Sequence, residues 1–185
     1  MSGGGQLRAA DIRSLLTYDP DTGEFVWRTR PREMFKTDRA WRAWNAHYAE
    51  NKAGHRSFSK DGADRYIQIG IFCSLYQGHR VAWAWMTGEW PSYQIDHINL
   101  CKPDNRWKNL RPATNAQNHA NTGIRSTNRS GRKGVCWHKG ASKWVAQITV
   151  GGARIHLGLF DQVEQAASAY ERAAAKYFSE FARAA

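Results

Sequence analysis

The stretch Ile95-Asp96-His97-Ile98-Asn99, followed by Asn109-Leu110 and Gln117-Asn118, decides how this chain is read. The first Asn lies twelve positions after His97 and the second twenty-one. Tyr93 to Ile98 has the composition of a strand. Cys101 to Lys108 is polar and contains Pro103-Asp104-Asn105, which predicts a loop. Asn109 to Ala113 is the returning strand, and Thr114 or Asn115 is placed to cap a helix over Gln117 to Ala120. The expected unit is strand, loop, strand, helix. It carries a carboxylate and an amide oxygen suited to a hard divalent cation, and an imidazole that titrates near neutral pH. Those groups meet what phosphodiester hydrolysis requires, namely removing a proton from water and neutralising charge on the phosphate and leaving oxygen. Neighbouring strand residues point to opposite faces, so Asp96 and His97 cannot both face one atom from a regular strand.

The whole chain gives this stretch a setting. It has 185 residues and a formal net charge of +11, enough for one domain or two small ones. Hydrophobic residues at 42% and charged residues at 23% exclude a disordered chain. The charge is focused: from Asn99 to Phe160 there are eleven Lys or Arg and one acid, Asp104. A concentrated basic stretch predicts a polyanionic partner, nucleic acid first. Cys73, Cys101 and Cys136 are odd in number and lack CxxC spacing, so neither a disulfide framework nor a structural zinc is expected. Met1 to Gly5 has no apolar core and no run approaches a membrane span, so no signal peptide and no membrane partner are expected. A reducing, cytoplasmic setting fits best.

Upstream, Ala9 to Leu16 reads as a short helix, and Thr17 to Gly23 as a turn before a strand at Glu24 to Arg28. Trp41, Trp44 and Tyr48 share helical spacing, which predicts core packing. Asp61-Gly62 is a turn before a strand over Arg65 to Ile71, and Val81 to Met86 is a short buried helix. His79 is expected to pack or cap that helix. After a linker-like, basic stretch a second unit begins. Its strands are Gly134 to His138, Lys143 to Val150 and Ala153 to Leu159, with Gly151-Gly152 as a tight hairpin. Asp161 with Glu164 has capping-box spacing ahead of an alanine-rich helix.

The first constellation resembles the HNH (His-Asn-His) nuclease family, also called the ββα-metal or His-Me finger. The matching residues are Asp96-His97-Ile98, Asn105, Asn109-Leu110 and Gln117-Asn118. The resemblance implies His97 as general base, Asp96 and Asn118 as metal ligands, and Asn109 as the residue that ties the inter-strand loop and helps orient His97. The third position is Asn rather than His, which by this resemblance is a variant common among phage and intron-encoded members, and those members lack zinc-binding cysteines. The implied cofactor is one divalent metal ion, magnesium first, with manganese or another divalent ion as alternatives. His119 is a rival to Asn118 as ligand.

The second unit resembles the plant Apetala-type, or ethylene-response-factor (ERF), DNA-binding domain. The matching residues are Gly131, Lys133-Gly134-Val135, Trp144 to Ile148, Arg154, His156-Leu157-Gly158, Phe160-Asp161, Glu164 to Ala167 and Ala169-Tyr170. A sheet can enter the major groove, where Arg, Lys and Gln read base edges. The candidate DNA-binding residues are Arg125, Arg129, Arg132, Lys133, Trp137, Lys139, Lys143, Gln147, Thr149, Arg154 and His156. Cys136, His138 and Thr149 stand where the plant factors carry DNA-contacting arginines, so plant target specificity does not transfer.

The expected fold class is α+β. A small α+β nuclease region over 6–121 ends in a ββα-metal finger at about 93–121. A basic linker follows at 122–129. A three-stranded antiparallel sheet packed on one C-terminal helix occupies 130–185. The expected function is a metal-dependent DNA endonuclease of phage or mobile-element (homing) type acting on double-stranded DNA, as a monomer with a dimer as the alternative. The alternatives are a sequence-specific DNA-binding regulator with an inactive finger, and a nuclease directed at RNA.

Overall fold

The computed structural model describes residues 7–58, 64–124 and 127–182, without the side chains of Phe58 and Asp64. The Met1–Gly5 start, the Asp61-Gly62 turn and Arg125 lie outside the described residues. The chain divides into two compact units, 1–112 and 113–185. Helices and strands mix in both, as an α+β chain requires.

In the first unit, helix α1 (Ala9–Leu15) leads directly into the hairpin β1 (Leu16–Tyr18) and β2 (Phe25–Trp27). The turn between them closes on Gly23, which has φ +76 and lies so near the Asn105-Arg106 backbone that an added Cβ would stand 2.5 Å from Arg106 N. Helix α2 (Asp38–Tyr48) follows, and then the antiparallel sheet β3 (His55–Phe58), β4 (Asp64–Ile71) and β5 (Ser74–Gln77), in that order. Helix α3 (Gly78–Thr87) ends at Gly88, whose φ of 83 supplies the left-handed cap. Strands β6 (Gln94–His97) and β7 (Leu110–Ala113) form a separate pair. Ile12, Leu15, Leu16, Ile69, Ile71 and Val81 are fully buried and join α1, α3 and β4 into one core. Of the α2 aromatics Trp44 packs against the core, as their spacing predicts, although α2 buries no residue completely. Trp44 lies half-buried over Trp27 and the Arg30 guanidinium, Trp41 donates to the Arg30 carbonyl, and Tyr48 is exposed. The helix is a lid of aromatic and cationic contacts on the edge of the core.

In the second unit, helix α4 (Asn115–Asn121) precedes β8 (Val135–His138), β9 (Lys143–Val150), β10 (Ala153–Phe160) and helix α5 (Val163–Phe178), with a short 3-10 turn at Ser179–Phe181. The sheet is antiparallel in the order β10-β9-β8. Gly151 and Gly152, with φ of 57 and 84, make the two-residue turn that sets Val150 opposite Ala153. Ala146 and Ile148 pack under α5 against Ala166, Tyr170, Ala174 and Phe178. Small side chains on α5 let it lie close to the sheet. The expected capping box of Asp161 with Glu164 does not form: the N-cap is Gln162, without a side-chain cap bond. Asp161 is drawn instead to Lys143 Nζ, 3.0 Å away across the hairpin.

Candidate active site and nucleic-acid interface

Asp96, His97 and Asn109 are all buried in the first unit. Strand alternation divides their contacts, as the backbone geometry demands. Asp96 faces Arg111 of the paired strand, whose Nε and Nη2 both stand 3.0 Å from Asp96 Oδ2. His97 faces an aromatic and amide pocket. Its Nε2 lies 3.4 Å from Asn105 Oδ1, and its ring packs against His79 and Tyr66 with centroid separations of 5.0 and 5.7 Å. A neutral imidazole that donates from Nε2 to Asn105 keeps Nδ1 as its basic nitrogen. Burial lowers the pKa of His97, opposed by the Asn105 hydrogen bond and the Asp96 charge. The ring therefore remains an unprotonated acceptor at neutral pH, the state a general base needs.

Three loop residues hold this pocket. Asn109 accepts at Oδ1 from Asn99 N (3.0 Å) and donates from Nδ2 to the Asp104 carbonyl (2.8 Å), so it ties the end of the loop to its start and its middle. Its own carbonyl accepts from Ile98 N at 2.9 Å, next to His97. The ring of His97 itself meets Asn105 rather than Asn109. Asn105 is 1% exposed, and its carbonyl accepts from Tyr18 Oη at 2.6 Å. Asp104 takes a hydrogen bond from Asn99 and a salt bridge from Arg106, which holds its carboxyl down at about 2.

His79 sits in the first turn of α3, 4% exposed, edge-on to His97 and 4.7 Å from Tyr66. Burial, then the neighbouring His97 and Arg80, push its pKa down to about 3. It packs, as its apolar setting predicts, and it packs on the candidate base. Sequence reasoning missed the Arg111 partner of Asp96. The signal available was an opposite charge on the returning strand.

Asn118 stands half-buried on α4, in the second unit, with its carbonyl accepting from Thr122. Gln117 caps the same helix: its Oε1 accepts from Thr114 N at 2.8 Å while Thr114 Oγ1 accepts from Gln117 N. His119 is exposed on that helix. Among the described residues no group of three or more His, Cys, Asp or Glu is placed to hold a metal. Asp96 is the one carboxylate donor of this strand pair, the kind of oxygen that a hard ion keeping most of its shell as water accepts.

On the sheet of the second unit, the register pairs Thr149 with Arg154 and Gln147 with His156. These four, with Lys143, share the face opposite α5. Trp137 does not belong to that face. It pairs with Trp144, 5.2 Å away ring to ring, and lies with Ala146 on the α5 side, although still 48% exposed. Arg129, Lys139, Thr149, Arg154 and His156 are exposed, while Arg132 is half-buried. Gln147 Nε2 lies 3.9 Å from Cys136 Sγ. Lys133 Nζ donates to the carbonyls of Ala120 and Thr122 within its own unit.

With this geometry in place, comparison with known families gives two matches. Residues 76–120 match the HNH endonuclease family, and residues 130–180 match the AP2 domain. The chain carries an HNH endonuclease domain and an AP2 domain. The HNH match spans α3, the β6–β7 pair and α4, and so includes Asp96, His97, Asn109 and Asn118. The AP2 match spans the three-stranded sheet and α5. No curated protein and no solved structure matches the chain. The HNH domain supports a DNA endonuclease and the AP2 domain supports DNA binding. No described helix is long and apolar enough to cross a membrane.

Proposed function

We propose that this protein is a metal-dependent DNA endonuclease in which the HNH domain cuts and the AP2 domain holds duplex DNA, of the phage or mobile-element (homing) type. The observation that carries the reading is His97: a buried imidazole with lowered pKa, seated between Asn105, His79 and Tyr66, in the strand pair of the HNH domain. Asn105 and the two rings fix the ring plane, and the neutral imidazole takes the proton of the attacking water. Asp96 would hold the ion through its carboxylate, which Arg111 keeps oriented. The role of Asn118 as a second ligand rests on the resemblance alone. A hard divalent ion, magnesium first, supplies charge neutralisation at the phosphate and the leaving oxygen. Arg154, His156, Gln147 and Thr149 present donors and acceptors to the duplex from one sheet face. Arg129, Arg132 and Lys139 add positive charge to the same unit.

The test is plasmid cleavage with magnesium, with and without chelator, by the parent chain and His97→Ala. Loss of a positioned general base lowers the rate by about 10²–10⁴-fold while DNA binding survives. Equal cutting by the variant would remove His97 from the mechanism. A second reading, a DNA-binding regulator with an inactive finger, draws on Arg111 already neutralising Asp96. It requires that no divalent ion elicits cleavage in the same assay.

A further inference from the structure

Helix α4 belongs to the HNH domain by sequence and to the AP2 core by packing. The HNH match ends at residue 120 and the AP2 match begins at 130, yet the compact unit that holds the AP2 sheet begins at Ala113. Seven residues make α4, too short to persist alone in water. Its start is fixed locally by the Thr114–Gln117 capping box. Its apolar side packs on AP2 residues. Ala113 and Ala120 are buried with Ile148, Tyr170, Ala174, Phe178 and Phe181, and Ala116 packs against the same cluster. The final carbonyls are taken by Lys133 Nζ, which donates to Ala120 and, at 2.6 Å, to Thr122. A cation there also complements the negative end of the helix.

We infer that the AP2 domain is the platform on which the last helix of the HNH domain folds, and that Lys133 is a positioning residue for α4 and its Asn118 rather than a reader of DNA. The ammonium donates two hydrogen bonds into the chain itself, and moving it to a phosphate would break both. The AP2 domain then has two duties, holding the duplex and holding the helix that carries Asn118. The catalytic part of this inference rests on the nuclease reading above; the structural part does not.

The experiment compares the full chain with Lys133→Met and Lys133→Arg by hydrogen exchange, DNA affinity across salt, and cleavage at saturating duplex. In Lys133→Met the amides of 117–122 exchange about tenfold faster while those of α5 keep their protection. DNA affinity and its salt slope stay as in the parent, and kcat at saturating DNA falls about tenfold. Lys133→Arg, which keeps charge and donors, restores all three. Phe181→Ala, which removes a buried ring from the cluster that covers α4, also releases α4. Unchanged exchange of α4 in both Lys133→Met and Phe181→Ala overturns the inference. So does a salt slope reduced by about 1 with kcat intact, the signature of a phosphate contact. A parent chain that binds DNA but does not cut would sink the nuclease reading, and the exchange and salt results would still decide the role of Lys133.

Discussion

Arg111 and Asp96 form a buried ion pair across the β6–β7 strands, with side chains only 11% and 4% exposed and both guanidinium contacts on a single carboxylate oxygen. Burying either charge alone is costly, and the pair persists because each neutralises the other. Arg111→Met leaves the Asp96 carboxylate buried without its counter-ion. We expect a loss of about 3–5 kcal/mol of stability, read as a lower denaturant midpoint without a change in slope. Removing both charges, in Asp96→Leu with Arg111→Met, recovers most of that loss. A single variant as stable as the parent would mean that the pair contributes nothing.

Asn105 touches His97 with a neutral amide oxygen. Asn105→Asp places a carboxylate at the same point, and a negative neighbour favours the protonated imidazole. The pKa of His97 therefore rises, and the acid limb of the cleavage pH profile moves upward by about 1–3 pH units. NMR titration of the His97 ring in the full chain checks the shift independently of cleavage. An unmoved limb and an unmoved titration would show that Asn105 does not govern the ring.

What could be read in the sequence followed from local rules. The strand–loop–strand–helix order around His97, the Gly151-Gly152 hairpin and the alternation of Lys143 to Val150 depend on turn chemistry and period-2 patterning, and they appear as expected. Where a feature depended on a distant partner, local spacing did not name that partner. The Asp161–Glu164 spacing looks like a cap until Lys143, eighteen residues earlier, competes for the same carboxylate. Trp137 looks like a surface aromatic beside lysines until the β8–β9 register puts it on the face of Trp144. His79 and Arg111 reach the candidate site only through the packing of α3 and the pairing of β7, which no local spacing announces.

His79 makes stability depend on pH. Its folded pKa is about 3, against an ordinary imidazole value of about 6.5 when unfolded. Above about 6.5 both states are neutral and the full stability is present. As pH falls toward 3 the unfolded chain takes up a proton that the folded chain refuses, costing about 1.4 kcal/mol per pH unit. His97, also lowered by burial, adds in the same direction. Denaturation between pH 7 and about 4.5, above the carboxylate range, isolates this effect. His79→Leu flattens the dependence. A parent chain equally stable across that window would show that His79 is solvated or paired in solution.

The sheet register separates two residues that the sequence places in one basic, aromatic stretch. Arg154 is exposed and pairs with Thr149 on the face opposite α5, whereas Trp137 lies on the α5 side against Trp144. If the open face holds the duplex, Arg154→Ala weakens DNA binding by about 1–3 kcal/mol where it reads a base, and lowers the salt slope by about 1 where it meets a phosphate. Trp137→Leu keeps an apolar group against Trp144 and changes affinity little, because its ring is directed to the other side of the sheet. Fluorescence anisotropy with labelled duplex at several salt concentrations measures both. The reverse ranking, with Trp137 dominant and Arg154 silent, would place the duplex on the α5 side and overturn the assignment of the open face.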